Sequence, residues 1–359
     1  MHASFRTLPA LALGVAIPAV VLASALALPA QAEPASTPTA HQLLERVAKS
    51  VDQHYSGTLT QTSDLGLPQL PSVGPGSVHS DESAILDLVT AAHRAKVYVD
   101  GRSKQRVQVL DQLAERDIVR NGSSVWIWDS KHKTAQHVTL PSRHSASPAP
   151  VTPSELATRL LASVRSSSKV TVATGSSVAG RSVDRLVLTP RTDRTLVSRV
   201  VVSVDHATGV PLKIAVDARG QSGDAVAIGF TDVSFSTPGA GLFSFSPPKG
   251  AHVTTKDLSH VRPHAKADHV APDPDASASP KAQPGSEPTV TGAGWASVVT
   301  VPSGQLPAGV TGDPLFRQLT TAVDGGRALQ TTLVSVLITD DGRVLAGAVP
   351  IATLEAAAR

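Results

Sequence analysis

The side chains best suited to binding a metal ion are clustered in one stretch of the sequence. His260, His264 and His269 are interspersed with Asp257 and Asp268, and imidazole and carboxylate groups are common ligands of divalent metals. The stretch is rich in Pro, Ala and Ser and has no apolar periodicity, so nothing in it would fix the geometry of a site. We therefore expect a solvated linker here, with no metal and no cofactor.

Patterns of nucleophilic or phosphate-binding chemistry are missing as well. The sequence has no Cys, which excludes a thiol nucleophile, a thiolate metal site and a disulfide framework. It also lacks H-E-x-x-H, G-x-S-x-G and G-x-x-x-x-G-K-[ST], the spacings that position zinc ligands, a serine nucleophile and a phosphate loop. We expect the protein not to be an enzyme; an exported hydrolase of an unrecognised type is the alternative.

Composition narrows the class of protein further. The chain has 359 residues, of which 41% are hydrophobic and 17% charged, with a formal charge of +3. This is enough apolar material for two domains with real cores. The basic residues are scattered and aromatic residues are few, so we expect no binding of nucleic acid.

The N-terminus has the order of parts of a signal peptide. Arg6 precedes an apolar run from Leu8 to Leu28, and Ala30-x-Ala32 offers a cleavage site before Glu33. The run is also about long enough to span a bilayer, so an uncleaved membrane anchor is the alternative. Either way we expect the rest of the chain to be exported, and to be secreted, periplasmic or anchored to the cell membrane.

Short strands dominate residues 96–140. Apolar residues recur at every second position there, and Asp100-Gly101 and Asn121-Gly122 mark tight turns between them. Trp126 and Trp128 should lie on one face of this sheet, with Val125 and Ile127 on the other. Two Trp side chains one strand period apart indicate a large apolar surface that other elements must cover.

Three amphipathic or apolar segments could supply that cover: His41–His54, 83–90 and 153–165. Strand patterns return from Lys169 to Phe235, separated by Gly-containing turns. Numerous strands with few, separated helices predict an antiparallel α+β domain. If the helices cover the sheet loosely, the space between them becomes an apolar cavity.

The last hundred residues change in character. The Pro-rich linker from Thr254 leads to a segment that contains Trp295, a hairpin turned at Asp341-Gly342 and a helix at 351–358. About 70 residues are few for an independent core, so this unit should dock on the main domain or on a partner. We predict a signal peptide or anchor at 1–32, the main domain at 33–253, a linker at 254–290 and a small αβ unit at 291–359.

Three segments resemble landmarks of the LolA-type lipoprotein carriers. They are VWIWDS at Val125–Ser130, VDHATGVPLK at Val204–Lys213 and FSFSPPKG at Phe243–Gly250. Their order and spacing fit that superfamily over residues 40 to 253, and the exported branch from Gram-positive, high-GC bacteria is the most similar. The linker and the C-terminal unit are absent from the minimal carrier.

The resemblance implies a strongly curved antiparallel half-barrel sheet with a helical lid, whose apolar interior receives acyl chains of lipoproteins or lipids without catalysis. The superfamily includes LprG-like glycolipid binders and RseB, which implies an alternative: an envelope sensor that binds lipid or lipoprotein and signals through a membrane partner. The expected partners are therefore acyl chains and the cell membrane or a membrane-bound partner. The residues expected to line the cavity are Leu44, Val47, Val97, Val99, Val107, Val109, Trp126, Trp128, Leu156 and Leu160.

Overall fold

Twelve strands form one large open sheet in the order β12-β6-β5-β4-β3-β2-β1-β11-β10-β9-β8-β7. The structure is a computed structural model that describes residues 37–66, 94–110, 115–141, 158, 161–162, 164–259, 288–304 and 314–359. The strands are β1 His54–Ser63, β2 Arg94–Asp100, β3 Lys104–Leu110, β4 Glu115–Asn121, β5 Ser124–Asp129, β6 Thr134–Thr139, β7 Ser168–Val178, β8 Arg181–Pro190, β9 Val197–Asp205, β10 Pro211–Ala218, β11 Asp224–Ser234 and β12 His252–Asp257.

The large sheet is mixed, whereas the sequence predicted an antiparallel one. Neighbouring strands pair antiparallel except for β12, which runs parallel to β6 at the edge of the sheet. The chain between β11 and β12 crosses one face of the sheet before it reaches that edge, and such a crossover allows a parallel neighbour. β12 also continues to Asp257, four residues beyond the predicted end of the main domain at Val253.

Glycine turns fix the register of the hairpins that the sequence indicated. Asn121 pairs with Ser124 across a two-residue loop in which Gly122 has φ +63°. Asp100 pairs with Lys104, so the loop at Gly101, with φ +66°, is one residue longer than a minimal hairpin. Glycine adopts these positive φ angles without the steric cost that a side chain would add.

Helix α1 spans Ala40–Lys49 and is followed by a 3₁₀ turn at Ser50–Asp52. Thr39 caps its N-terminus. The Thr39 side chain accepts a hydrogen bond from the Gln42 backbone, and the Gln42 side chain accepts one from the Thr39 backbone, which forms a capping box. The helix predicted at 83–90 lies outside the described residues. The described residues of the helix predicted at 153–165 are helical, and its Leu161 is buried.

A second, six-stranded sheet with two helices follows the large sheet. Its order is β13-β14-β18-β17-β16-β15. The elements are β13 Thr289–Thr291, β14 Val298–Val301, α2 Pro314–Leu319, β15 Thr321–Val323, β16 Gly326–Gln330, β17 Ser335–Thr339, β18 Val344–Gly347 and α3 Ile351–Ala358. We call this unit the C-terminal sheet. One of its faces packs on α3, where Leu337, Leu345 and Leu354 are fully buried.

The turn predicted at Asp341-Gly342 joins β17 and β18, with Gly342 at φ +84°. In the part of the chain that the structure describes, no helix is long and apolar enough to cross a membrane.

Candidate functional site

Strand pairing divides the side chains of the large sheet between two faces. Residues that are directly opposite on neighbouring strands point to the same face, and alternate residues along a strand point to opposite faces. Val97 pairs with Val107, Val107 with Ile118, and Ile118 with Ile127. In the other half of the sheet, from β1 to β8, Gln61 pairs with Ile228, Ile228 with Ile214, Ile214 with Val202, and Val202 with Leu186.

Both rows belong to one face, because Leu59, two residues before Gln61 on β1, pairs with Ala95, which lies two residues before Val97 on β2. Helix α1 lies on this face, so we call it the helix face. The opposite face carries both Trp side chains of β5, so we call it the tryptophan face.

Helix α1 buries an apolar stripe against the helix face. Leu43 is fully buried and packs with Leu186 and Val204, and the predicted site residues Leu44 and Val47 are half-buried around the same cluster. The 3.6-residue spacing of these positions places them on one side of the helix. The structure therefore puts Leu44 and Val47 where a helix packed on an apolar sheet face would need them.

A buried carboxylate fixes the position of α1. Asp184 on β8 has a side chain only 3% exposed, and its Oδ2 lies 2.6 Å from Nη2 of Arg46 and 3.0 Å from Nδ1 of His206. Arg46 also donates through Nη1 to the His206 carbonyl at 2.9 Å. One Arg of the helix thus joins β8 and the β9–β10 turn.

The β9–β10 turn carries the DHATG part of the second resemblance segment. Asp205 accepts hydrogen bonds from Arg181 Nε at 2.8 Å, from the Thr208 backbone at 2.9 Å and from the Thr208 hydroxyl at 2.8 Å. Burial opposes the ionisation of Asp205, but these hydrogen bonds outweigh it and lower its pKa. The motif is therefore structural: it holds the turn against which α1 is seated.

Four predicted site residues lie on the helix face of β2 and β3. Val97 and Val99 are buried in a cluster with Phe230 and Leu212, and Val107 packs against it. Val109 pairs with Ala95 on the same face and is half-buried. Burial also raises the pKa of Tyr55, whose ring packs on this cluster.

The helix face leaves four large aliphatic side chains exposed, and the sequence reasoning did not select them. Ile118 and Ile127 are 46% and 41% exposed, and Ile214 and Ile228 are 46% and 44% exposed. Each pair sits side by side on neighbouring antiparallel strands. The period-two pattern in β4, β5, β10 and β11 placed these residues on one face, but it could not show how far each side chain is exposed.

Trp126 and Trp128 lie on the tryptophan face, away from the other predicted wall residues. Trp126 stacks on His137 with ring centroids 4.4 Å apart, and Phe245 lies 5.6 Å from Trp126 and 6.2 Å from Trp128. Phe245 belongs to the segment between β11 and β12, which crosses this face. The eight described members of the predicted set therefore do not share one face of the sheet. Leu156 and Leu160 lie outside the described residues.

An ion pair lies beneath that crossing segment. Asp117, 2% exposed, receives two hydrogen bonds from Arg106, at 3.1 Å from Nε and 2.5 Å from Nη2, and Arg106 donates to the Leu242 carbonyl at 3.3 Å. Burial raises the pKa of Asp117 despite this pairing. A cleft of about 250 Å³ remains between Trp126, Val119 and Phe245.

The described residues contain no cluster that could hold a metal ion. Among them, no group of three or more His, Asp or Glu side chains is placed to hold a metal ion. The Nε2 atom of His137 lies within 2.8 Å of the Ser124 hydroxyl oxygen, and the His137 ring stacks on Trp126. Its neighbours are those of a packed side chain.

No protein-family model matches the sequence. No curated protein matches it. Solved structures are similar to it: a complex of MucA and MucB from Pseudomonas aeruginosa aligns at 17% identity over 88% of this chain and 96% of that chain, with a TM-score of 0.44.

Two further solved structures align with more than half of the chain. A LolA superfamily protein from Nitrosomonas europaea has 13% identity over 58% of this chain and 98% of its own, with a TM-score of 0.25. An outer membrane lipoprotein-sorting protein domain from Vibrio parahaemolyticus has 14% identity over 55% of this chain and 94% of its own, with a TM-score of 0.23. Assignment to a Gram-positive, high-GC branch stays a prediction.

Proposed function

We propose that this chain is an exported, non-catalytic protein of the LolA type that binds acyl chains of lipoproteins or lipids on its helix face. The observation that carries the proposal is the exposure of Ile118, Ile127, Ile214 and Ile228, between 41% and 46%, on the face that α1 partly covers. Contiguous apolar surface that is exposed on a soluble protein often marks a site where a ligand or partner binds.

The free energy of burying a hydrocarbon chain favours an acyl ligand over a polar one. Transfer of a 16-carbon chain from water to an apolar surface is worth roughly 12 kcal/mol gross, at about 0.8 kcal/mol per methylene. Even a chain that is half covered would retain several kcal/mol. The helix face offers aliphatic side chains and few charges near Ile214 and Ile228, which suits a hydrocarbon.

Aspartate substitutions test this proposal. Ile214→Asp and Ile228→Asp each place a charge where the chain would lie, so we expect each to weaken binding of a fluorescent 16-carbon fatty acid by tenfold or more. Val253→Asp is the matched control, since Val253 is 47% exposed on the edge strand β12. Wild-type protein that neither binds the probe nor carries acyl ligands in native mass spectra from its host would refute the proposal.

A sensor that signals through a membrane-bound partner is the second candidate, favoured by an apolar row on the C-terminal sheet. Five apolar residues are paired in succession across five strands on the face opposite α3: Val290, Val299, Ala346, Val336 and Leu329. Val290 and Val299 are 65% and 38% exposed. Such a row on a sheet face is typical of a protein interface.

Pull-downs from detergent-solubilised host membranes test the sensor. We expect Val299→Asp to lose a membrane protein that wild-type protein and Val253→Asp both retain. Retention of the same proteins by Val299→Asp would argue against signalling through the C-terminal sheet.

A further inference from the structure

The C-terminal sheet is fastened to one end of the large sheet by hydrogen bonds from several segments. Ala348 accepts from the Thr195 hydroxyl at 2.7 Å and from the Leu196 backbone at 2.8 Å. The Thr332 backbone donates to the Leu65 carbonyl at 3.0 Å. At a third point, the Trp295 indole donates to the Ser168 hydroxyl at 2.7 Å.

An apolar cluster fills the space between these hydrogen bonds. Leu333, on the connection between β16 and β17, is 8% exposed and packs with buried Val197, Ala218 and Ala225 of the large sheet. Trp295 and Ala348 complete the cluster from the same side. A turn residue of the C-terminal sheet is thus inserted into the core of the large sheet.

This cluster reaches the helix face beside the exposed isoleucines. Val216 follows Ile214 by two residues on β10, and Val226 precedes Ile228 by two on β11, so each valine shares its isoleucine's face. Val216 and Val226 pair with each other and pack against the cluster of Leu333. Two residues of a strand span about 7 Å, so the isoleucine pair lies about one side chain away from this cluster.

Other packed elements bound the isoleucine pair on two more sides. Val202, the β9 partner of Ile214, is covered by the α1 cluster. Phe230, two residues beyond Ile228, is buried in the cluster of Val97 and Val99. Ile214 and Ile228 are therefore bordered by three packed groups: the α1 cluster, Phe230 and the valine pair that packs with Leu333 of the C-terminal sheet.

We infer that the C-terminal sheet forms the end wall of the acyl-binding site and that Leu333 limits the length of chain the site accepts. This inference rests on the proposed function, since it concerns the same helix face. A chain that lies along β10 and β11 over Ile214 and Ile228 meets the valine pair and the Leu333 cluster at its end. The C-terminal sheet then serves ligand selection as well as docking.

A chain-length series on wild-type and Leu333 variants tests the inference. The probes are saturated fatty acids of about ten to about twenty carbons, measured by displacement of one fluorescent fatty acid. Leu333→Ala removes three carbons from the wall, so we expect the tightest-binding chain to become about two carbons longer. At about fourfold per methylene, the affinity ratio between that chain and the wild-type optimum should shift by about 15-fold. Leu333→Phe should move the optimum to shorter chains.

Two matched variants separate a wall from a general loss of stability. Val334→Ala changes the next residue, which is 42% exposed, and should leave the length optimum unchanged. Leu337→Ala makes the same deletion in the α3-facing core, where Leu337 is fully buried, and should lower stability without lengthening the preferred chain. If Leu333→Ala does not fold, Leu333→Phe decides, because its larger side chain keeps the cluster filled.

The outcomes distinguish this inference from the proposed function. An identical length optimum in wild type, Leu333→Ala and Leu333→Phe, with binding still abolished by Ile214→Asp, would overturn the end wall and leave acyl binding intact. Absence of fatty-acid binding by the wild type would remove both.

Discussion

At the scale of single residues, Gly209 determines how closely α1 can approach the large sheet. Its φ is +76°, and a Cβ added there would lie 2.6 Å from the Arg46 carbonyl oxygen. Gly209→Ala should therefore lower the free energy of unfolding by about 3 kcal/mol, from left-handed backbone strain and from displacement of the helix. Denaturant unfolding monitored by circular dichroism measures the change.

Gly220→Ala is the control for backbone strain alone. Gly220 has φ +77° but open space around its Cβ position, so the substitution should cost only about 1 kcal/mol. Equal losses in the two variants would contradict a close contact between α1 and the β9–β10 turn.

Asp205 gives the turn a dependence on pH. Its pKa is lowered in the folded protein because hydrogen bonds from Arg181 and Thr208 outweigh the opposing effect of burial. A folded pKa below the unfolded value stabilises the fold above about pH 4, and this contribution disappears as the pH falls through the folded pKa. Asp205→Asn should thus flatten the decline in stability between about pH 5 and pH 2, as measured by urea unfolding at each pH.

Asp117, which is also buried, acts in the opposite direction to Asp205 on acidification. Burial raises the pKa of Asp117 in the folded protein, so its contribution to stability is present below its unfolded pKa and is lost as the pH rises through the folded value. A decline that Asp205→Asn leaves unchanged would show that carboxylates other than Asp205 govern acid unfolding.

At the scale of elements, α1 is attached to the large sheet by the ion pair of Arg46 with Asp184 and by the apolar stripe around Leu43. Arg46→Met keeps much of the side-chain volume but leaves the buried Asp184 without its guanidinium partner. We expect a loss of about 2 kcal/mol in the free energy of unfolding, since hydrogen bonds to charged groups contribute about that much. The measurement is thermal and denaturant unfolding of both proteins.

Lys49→Met is the matched control on the same helix. Lys49 is 63% exposed and pairs with Glu45 at the surface, an arrangement worth at most a few tenths of a kcal/mol. A loss as large as that of Arg46→Met would mean that helix propensity, rather than the Asp184 contact, explains the result.

Local sequence patterns predicted the strands and turns well. They did not predict which side chains of the sheet lie on the face that α1 covers. Turn glycines and period-two alternation located the hairpins at Gly101, Gly122 and Gly342, and correctly placed Trp126 opposite Ile127. The face that α1 covers is set by its packing on Leu186 and Val204, far along the chain. Linking those strands to β5 requires the pairing of β1 with β11, and no local pattern contains that register.

The same reason explains which of the predicted residues lie on or against the helix face and which do not. The spacing of apolar residues selected Leu44 and Val47 on α1 and Val97 and Val107 on the strands. In the structure the first two pack against the helix face, and the last two belong to it. Trp126 and Trp128 were selected because their side chains are large and lie in a segment that resembles the LolA type. Neither criterion shows on which face of the sheet a side chain lies. Exposure is a property of the assembled molecule, so sequence could not reveal the open isoleucine pairs.

At the scale of the whole molecule, the three Trp residues report on different parts of the protein. Trp126 and Trp128 lie on the tryptophan face under Phe245, whereas Trp295 belongs to the cluster that borders the isoleucine pair. A fatty acid brominated near its methyl end should therefore quench Trp295 in a Trp126→Phe/Trp128→Phe protein. The same probe should leave the fluorescence of Trp295→Phe almost unchanged.

Quenching by bromine requires near contact, so this comparison identifies the face on which the chain lies. Strong quenching in Trp295→Phe would place the ligand on the tryptophan face, in the cleft beside Trp126, and would restore the wall first expected from the sequence. Quenching of Trp295 alone, lost in Ile214→Asp, would place the end of the chain between the two sheets. Binding of the ligand and docking of the C-terminal sheet would then be thermodynamically linked, because a ligand that contacts the docked sheet must favour docking by the same free energy by which docking favours the ligand.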